Sequence, residues 1–172
     1  MKKLLLLFVL LSIVFQPCIA AVQQTTVASE LQAEYLQEAF DGFEITFQNN
    51  GKNPIKIISI DCPQFRNNAR QVILQKALQI NKKNNKYYYM SVFTLGVTGF
   101  VANAKNGTNI DKENAALAES ANFATDLNAY KGEVIPASSS KTIKILVPKG
   151  ETPNVSSVFQ DTKTNECIGL TK

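Results

Sequence analysis

The chain of 172 residues contains no histidine and no tryptophan, and only three cysteines. Without imidazole, neither a Ser-His-Asp nor a Cys-His catalytic arrangement can be built, and every histidine-ligated metal site is excluded. A thiolate zinc site needs more cysteines than the chain has to spare. No glycine-rich loop follows a strand in the manner that cradles nucleotide phosphates. No basic cluster interleaved with aromatics is present, which argues against nucleic acid as a partner. No resident cofactor is expected.

Two motifs match a catalytic or metal pattern only on paper. Ser138 and Lys141 have S-x-x-K spacing. That chemistry needs the lysine one helical turn from the serine, together with S-D-N and K-T-G elements that are missing. Asp111 and Glu113 beside Asn109 lack the ligand spacing and central glycine of a calcium loop. A hydrolase using carboxylates or a Ser/Lys pair is therefore a minor reading, and a non-catalytic protein is expected. The sequons at Asn106 and Asn154 are incidental in a bacterial setting.

Residues 1–20, MKKLLLLFVLLSIVFQPCIA, have the form of an export signal. Lys2 and Lys3 form a basic n-region, Leu4 to Phe15 a short apolar core, and Cys18-Ile19-Ala20 a small-residue cleavage site. The apolar stretch falls short of the roughly 20 residues of a membrane span. Pro17 and Phe15 occupy the positions where lipoprotein processing at Cys18 wants small and aliphatic residues, so a lipid anchor is disfavoured. The expectation is an exported bacterial protein, periplasmic or secreted, whose single domain is residues 21–172. Removing Lys2 and Lys3 lowers the formal charge from +4 to +2. Cys62 and Cys167 then form an even pair in an oxidising compartment, and a disulfide between them is expected.

Along residues 21–172 the pattern changes twice. Residues 21–29 read as a frayed, polar start. Residues 30–41 fit either a strand or a helix, with strand favoured. Phe43, Ile45 and Phe47 alternate with polar residues. Asn49-Asn50-Gly51-Lys52 then reads as a positive-φ turn into a second strand over 55–60, making a β-hairpin. Ala69, Ile73, Ala77 and Ile80 recur at helical spacing. Residues 81–86 read as a solvated end, and Asn106-Gly107-Thr108-Asn109 as a turn. A second helix is expected from about 110 to 128, with Leu117, Ala121, Ala124 and Leu127 near one face. Strands return at 134–135, 142–147, 155–161 and 166–170.

Strands, a helical stretch of about 66–130, and strands again point to a mostly β fold with an α insertion. The expected architecture is a small immunoglobulin-like β-sandwich of six or seven strands interrupted by the helical segment. The tryptophan of antibody domains is absent, so the likeness is one of architecture.

Residues 87–104, YYYMSVFTLGVTGFVANA, carry no charge and are bracketed by Lys86 and Lys105. Three readings stand: burial in the core, a contact surface, and a membrane span. A span is disfavoured, because a crossing would separate Cys62 from Cys167 and a hairpin would draw Asp111, Glu113, Glu119 and Asp126 toward the bilayer at about 2.5–3.5 kcal/mol each. The candidate contact residues are Tyr87, Tyr88, Tyr89, Phe93 and Phe100. The functional expectation is an exported, non-catalytic envelope interaction or assembly protein that contacts a partner through this insertion. The alternative is a peripheral envelope protein held at the membrane surface by 87–104.

Overall fold

The computed structural model describes residues 21–91 and 97–171, with backbone alone over 86–91 and 97–104. The leader expected at 1–20, with Cys18, lies outside the described residues. Seven strands form two antiparallel sheets. They are β1 (Val22–Ser29), β2 (Phe40–Asn49), β3 (Ile55–Asp61), β4 (Val134–Ile135), β5 (Ser139–Pro148), β6 (Ser156–Asp161) and β7 (Cys167–Thr171). One sheet has the order β1-β2-β5 and the other β4-β3-β6-β7. A short helix α1 (Glu34–Ala39) precedes β2, and helices α2 (Ala69–Ser91) and α3 (Val97–Ser120) lie between β3 and β4. A 3-10 turn, Leu127–Tyr130, returns the chain to the sheets. The fold is thus mixed, with two long helices, rather than mostly β.

The alternating residues do what period-2 patterning requires. Ile45 and Phe47 of β2 and Ile143, Ile145 and Val147 of β5 point to one side of their sheet. They meet Ile55, Ile57, Val155 and Phe159 from the other side, all of them buried. The Phe47 and Phe159 rings make an edge-to-face contact with centroids 5.2 Å apart. The outer face of the three-stranded sheet stays polar at one end, where Glu44 pairs with Lys144 at 2.9 Å and the Thr46 and Thr142 hydroxyls meet. At its other end Phe40 and Leu146 are buried in a second cluster beneath the helices. Gly42 lies on that face because a Cβ there would come within 2.8 Å of the Ser29 carbonyl and 2.9 Å of Leu31.

Several expectations are corrected. Residues 21–29 are not frayed. They pair along their length with β2, and the Gln24 amide crosses to the other sheet, donating to the Val155 carbonyl and accepting from Ser157. Strands β2 and β3 are not a hairpin, since they belong to different sheets. The fully buried Asn49 explains the corner. Its amide nitrogen donates toward the carbonyls of Asn53, Ile135 and Pro136, and its oxygen accepts from the Gly51 amide. This ties the 50–54 segment to β4, and the positive φ expected there is found instead at Ser138, Asn165, Gly132 and Gly150. Residues 34–39 are helical, and the strand begins at Phe40.

Cys62 and Cys167 do not form the expected disulfide. Both are free thiols, Cys62 buried and Cys167 exposed. Strand register gives the reason. Cys62 follows Asp61, which aligns with Ser156 and Thr171, whereas Cys167 aligns with Gln160 and Lys56 at the opposite end. Five residues of strand separate those levels by about 16 Å, and a bridge needs α-carbons within about 7 Å. Strand pairing, not a bridge, joins the two β halves. Burial pushes the Cys62 thiol above its usual range, which suppresses thiolate. Native protein treated with a thiol reagent should therefore modify Cys167 rapidly and Cys62 only on unfolding. A chain whose two thiols fail to react even when denatured without reductant would restore the bridge.

Two carboxylates clamp the loops at the strand ends. Asp161 accepts from the Thr164 and Lys163 amides and from Asn53, and these bonds hold it below the usual carboxylate range. Asp41 is lowered by Lys149 at 2.6 Å and by the Gly150 amide. A folded value below the unfolded one stabilises above the unfolded value, about 3.9, and is lost as pH falls through the folded value. Asp41→Asn should therefore lower the melting temperature at pH 7 and make little difference near pH 2. An equal decrement at both pH values would contradict the assignment.

Candidate functional site

The sequence between β3 and β4 builds an antiparallel helical hairpin, α2 against α3. Small residues let the helices approach. Ala69, Ile73 and Ala77 of α2 are buried with Ala116 of α3. Tyr35 and Leu36 of α1 close the same cluster from the side of the sheet. The hairpin is longer than composition indicated. The Asn- and Lys-rich stretch 81–86 stays helical, and so does 106–109. The second helix ends at Ser120, so Ala121, Ala124 and Leu127 lie beyond it, and it begins well before 110, which places Asp111 and Glu113 in its interior.

A ladder of amides makes this possible. The Tyr35 hydroxyl donates to the Asn109 carboxamide oxygen. Asn109 in turn donates to Asn81 at 2.7 Å and toward the Ala77 carbonyl at 3.4 Å. One helical turn further out, Asn84 donates to Asn106 at 2.9 Å. Asn84 and Asn109 are buried. Buried amides are tolerated when each finds a partner, and a shifted register would break every one of these pairs. The ladder thus fixes how α2 slides on α3.

Ion pairs fasten α1 to the hairpin. Lys76 pairs with Glu38 and sits over the Tyr35 ring, 5.1 Å from its centroid. Lys112 reaches Glu34 at 2.6 Å. The Glu119 carboxylate accepts from the Gln32 and Ala33 amides at 2.8 and 2.6 Å, holding the chain that enters α1. Burial lowers Lys76 from its ordinary value and raises Tyr35. A groove of about 520 Å³ lies between the three helices, lined by Glu34, Tyr35, Glu38, Lys76, Asn109 and Lys112 among others. The partners just described for Lys76, Lys112, Tyr35 and Asn109 come from within the protein. The groove is therefore a bracing joint that sets the direction of the hairpin.

Of the residues singled out in the sequence, Tyr87, Tyr88 and Tyr89 fall on the last turns of α2 and Phe100 on the first turns of α3. Phe93, and the side chains of all five, lie outside the described residues. Ser138 takes a left-handed turn conformation and Lys141 lies in β5, paired with Glu133 at 2.7 Å. They do not share a helix, so the S-x-x-K spacing has no meaning here. The sequence reading missed Tyr35, Asn81, Asn84, Asn106 and Asn109. A signal was present, since 81 and 84 continue the phase of 73, 77 and 80. Among the described residues no group of three or more Cys, Asp and Glu could hold a metal, and no helix is long and apolar enough to cross a membrane. Compared with known proteins, the chain matches no family model and no curated sequence.

Proposed function

We propose an exported, non-catalytic interaction or assembly protein of the bacterial envelope, in which an immunoglobulin-like sandwich holds out a helical hairpin as its contact element. Strand order supports the sandwich. With β1, β2, β3, β5, β6 and β7 taken as A, B, C, E, F and G, the sheets read A-B-E and C-F-G, with β4 added beside C. The hairpin then fills the connection after C. The leader-like residues 1–20 support export, and the lack of histidine supports a role without imidazole catalysis.

One observation carries the contact role. The uncharged run 87–104 spans the end of α2 and the start of α3, past the Asn84–Asn106 pair along both helices. Sequence that needed only to connect β3 with β4 would use a few residues, since ordinary connections run about 4–6. Here two helices of 23 and 24 residues are braced by a buried polar ladder. Leu78 and Ile110 add exposed apolar area along them.

A photo-reactive residue in place of Tyr88 should give a discrete cross-linked adduct in intact cells, and one in place of the exposed Lys163 should not. Adducts of equal yield at both positions would remove the contact role from the hairpin. The three consecutive tyrosines favour a second reading, a membrane-surface contact, because a tyrosine ring and hydroxyl suit the lipid–water boundary. Flotation with vesicles that depends on residues 87–104 would select it. Amino-terminal sequencing of the exported form should begin at Ala21.

A further inference from the structure

We infer that the free edge of β1 pairs with the β1 strand of a second copy, making a two-fold dimer with one continuous six-stranded sheet. The inference begins from which backbone groups the edge presents. The Asn50 amide donates to the Ala21 carbonyl, so the ladder runs through the hydrogen-bonded pairs Gln23–Gln48, Thr25–Thr46, Val27–Glu44 and Ser29–Gly42. Val22, Gln24, Thr26 and Ala28 therefore turn their N–H and C=O groups outward. No other strand pairs with that side among the described residues.

The edge of β5 is covered, and the edges of β4 and β7 are shorter than that of β1. The outward carbonyls of Lys144 and Leu146 on β5 are taken by the Ala124 and Arg66 amides of the insertion, at 2.8 and 3.0 Å. Strand β4 has two residues, and β7 has five, with Glu166 directly before it. Natural edges are usually protected by charge, proline, a bulge or a cover. Strand β1, VQQTTVAS, has none of these. It is eight residues long, uncharged, free of proline, and regular in register throughout.

A second copy fits this edge better than an arbitrary strand because the edge is self-compatible. In an antiparallel pair centred on Thr25, that residue faces its own counterpart, Gln24 faces Thr26, and Val22 faces Ala28. Each outward N–H then meets an outward carbonyl of the copy, and no like charges oppose one another. Gln23 covers Val27, which stands 62 % exposed in the single chain. Such an interface is isologous and closes at two copies.

The full chain, expressed with its leader, should sediment at twice the monomer mass. Thr25→Lys alone and Thr25→Glu alone should each sediment as folded monomers with unchanged circular dichroism, because like charges meet at the two-fold. An equimolar mixture of the two variants should return to the doubled mass, which simple misfolding of either variant could not produce. A monomeric wild-type chain at 100 µM overturns the inference. So does a dimer that both single variants leave intact, or a mixture that stays monomeric.

Discussion

Phe47→Ala should destabilise the protein by about 3–5 kcal/mol, the usual cost of emptying a buried aromatic site. Phe47 is fully buried between the sheets and is the edge-to-face partner of Phe159. Its removal takes away both ring burial and a packed aromatic pair at the centre of the face shared by Ile45, Ile57 and Ile145. Strands on either side are held by their ladders, so the space can collapse only in part. For a domain of this size the melting temperature should fall by roughly 10 °C or more. Lys163→Ala, at an exposed position, should change stability by less than about 0.5 kcal/mol. Urea denaturation of both variants checks the contrast. A small effect at Phe47 would mean that the sheets do not share this core.

The second large effect concerns the amide ladder. Asn109→Leu should cost about 2–4 kcal/mol, because it strands the buried Tyr35 hydroxyl, at about 1–3 kcal/mol, and takes the donor from the half-buried Asn81. The loss should concentrate in the helices. Amide exchange in α2 and α3 should accelerate more than in β2 and β5, since the ladder joins helix to helix and leaves the sheet core untouched. Adding Tyr35→Phe removes one of the stranded groups and should recover part of the loss, so the two substitutions should be strongly non-additive. Full additivity would show that the Tyr35–Asn109 bond contributes nothing in solution.

Much of the sheet was legible from the sequence, because a buried face forces period-2 alternation. Phe43 to Phe47 and Ile143 to Val147 follow from that alone. Alternation says which side chains share a face. It does not say which strand lies alongside, and for that reason β2 and β3 read as a hairpin although they face each other across the core. The buried Asn49 decides the matter, and its role depends on Ile135 and Pro136, far away in sequence. Strand β1 was missed because its only buried apolar side chain is Val22, and Gln24 fills its place through hydrogen bonds instead of burial.

The insertion was legible in extent and misread in form. Ala69, Ile73 and Ala77 announce α2, and the boundaries near 66 and 130 fall close to Ala69 and Tyr130. Asn81 to Lys86 and Asn106 to Asn109 looked like turns because asparagine disfavours helix interiors when it must bond to its own backbone. Here the asparagines bond to one another across the hairpin, so a residue type that ordinarily ends a helix instead sets its register. The cysteine pair misled for a different reason. Even counts state a possibility, and only strand register fixes which end of the sheet each cysteine occupies.

In the proposed function the root of the hairpin belongs to the fold and its apolar end to a contact. Phe93→Asp tests that division most directly, read by thermal unfolding and by cross-linking from position 88 in the same cells. The account predicts a melting temperature within about 2 °C of the wild type, as for a surface change, together with loss of the cross-linked adduct. Outright unfolding, as a charge buried without a partner would cause, with no separable loss of contact, would contradict it and return residues 87–104 to the core.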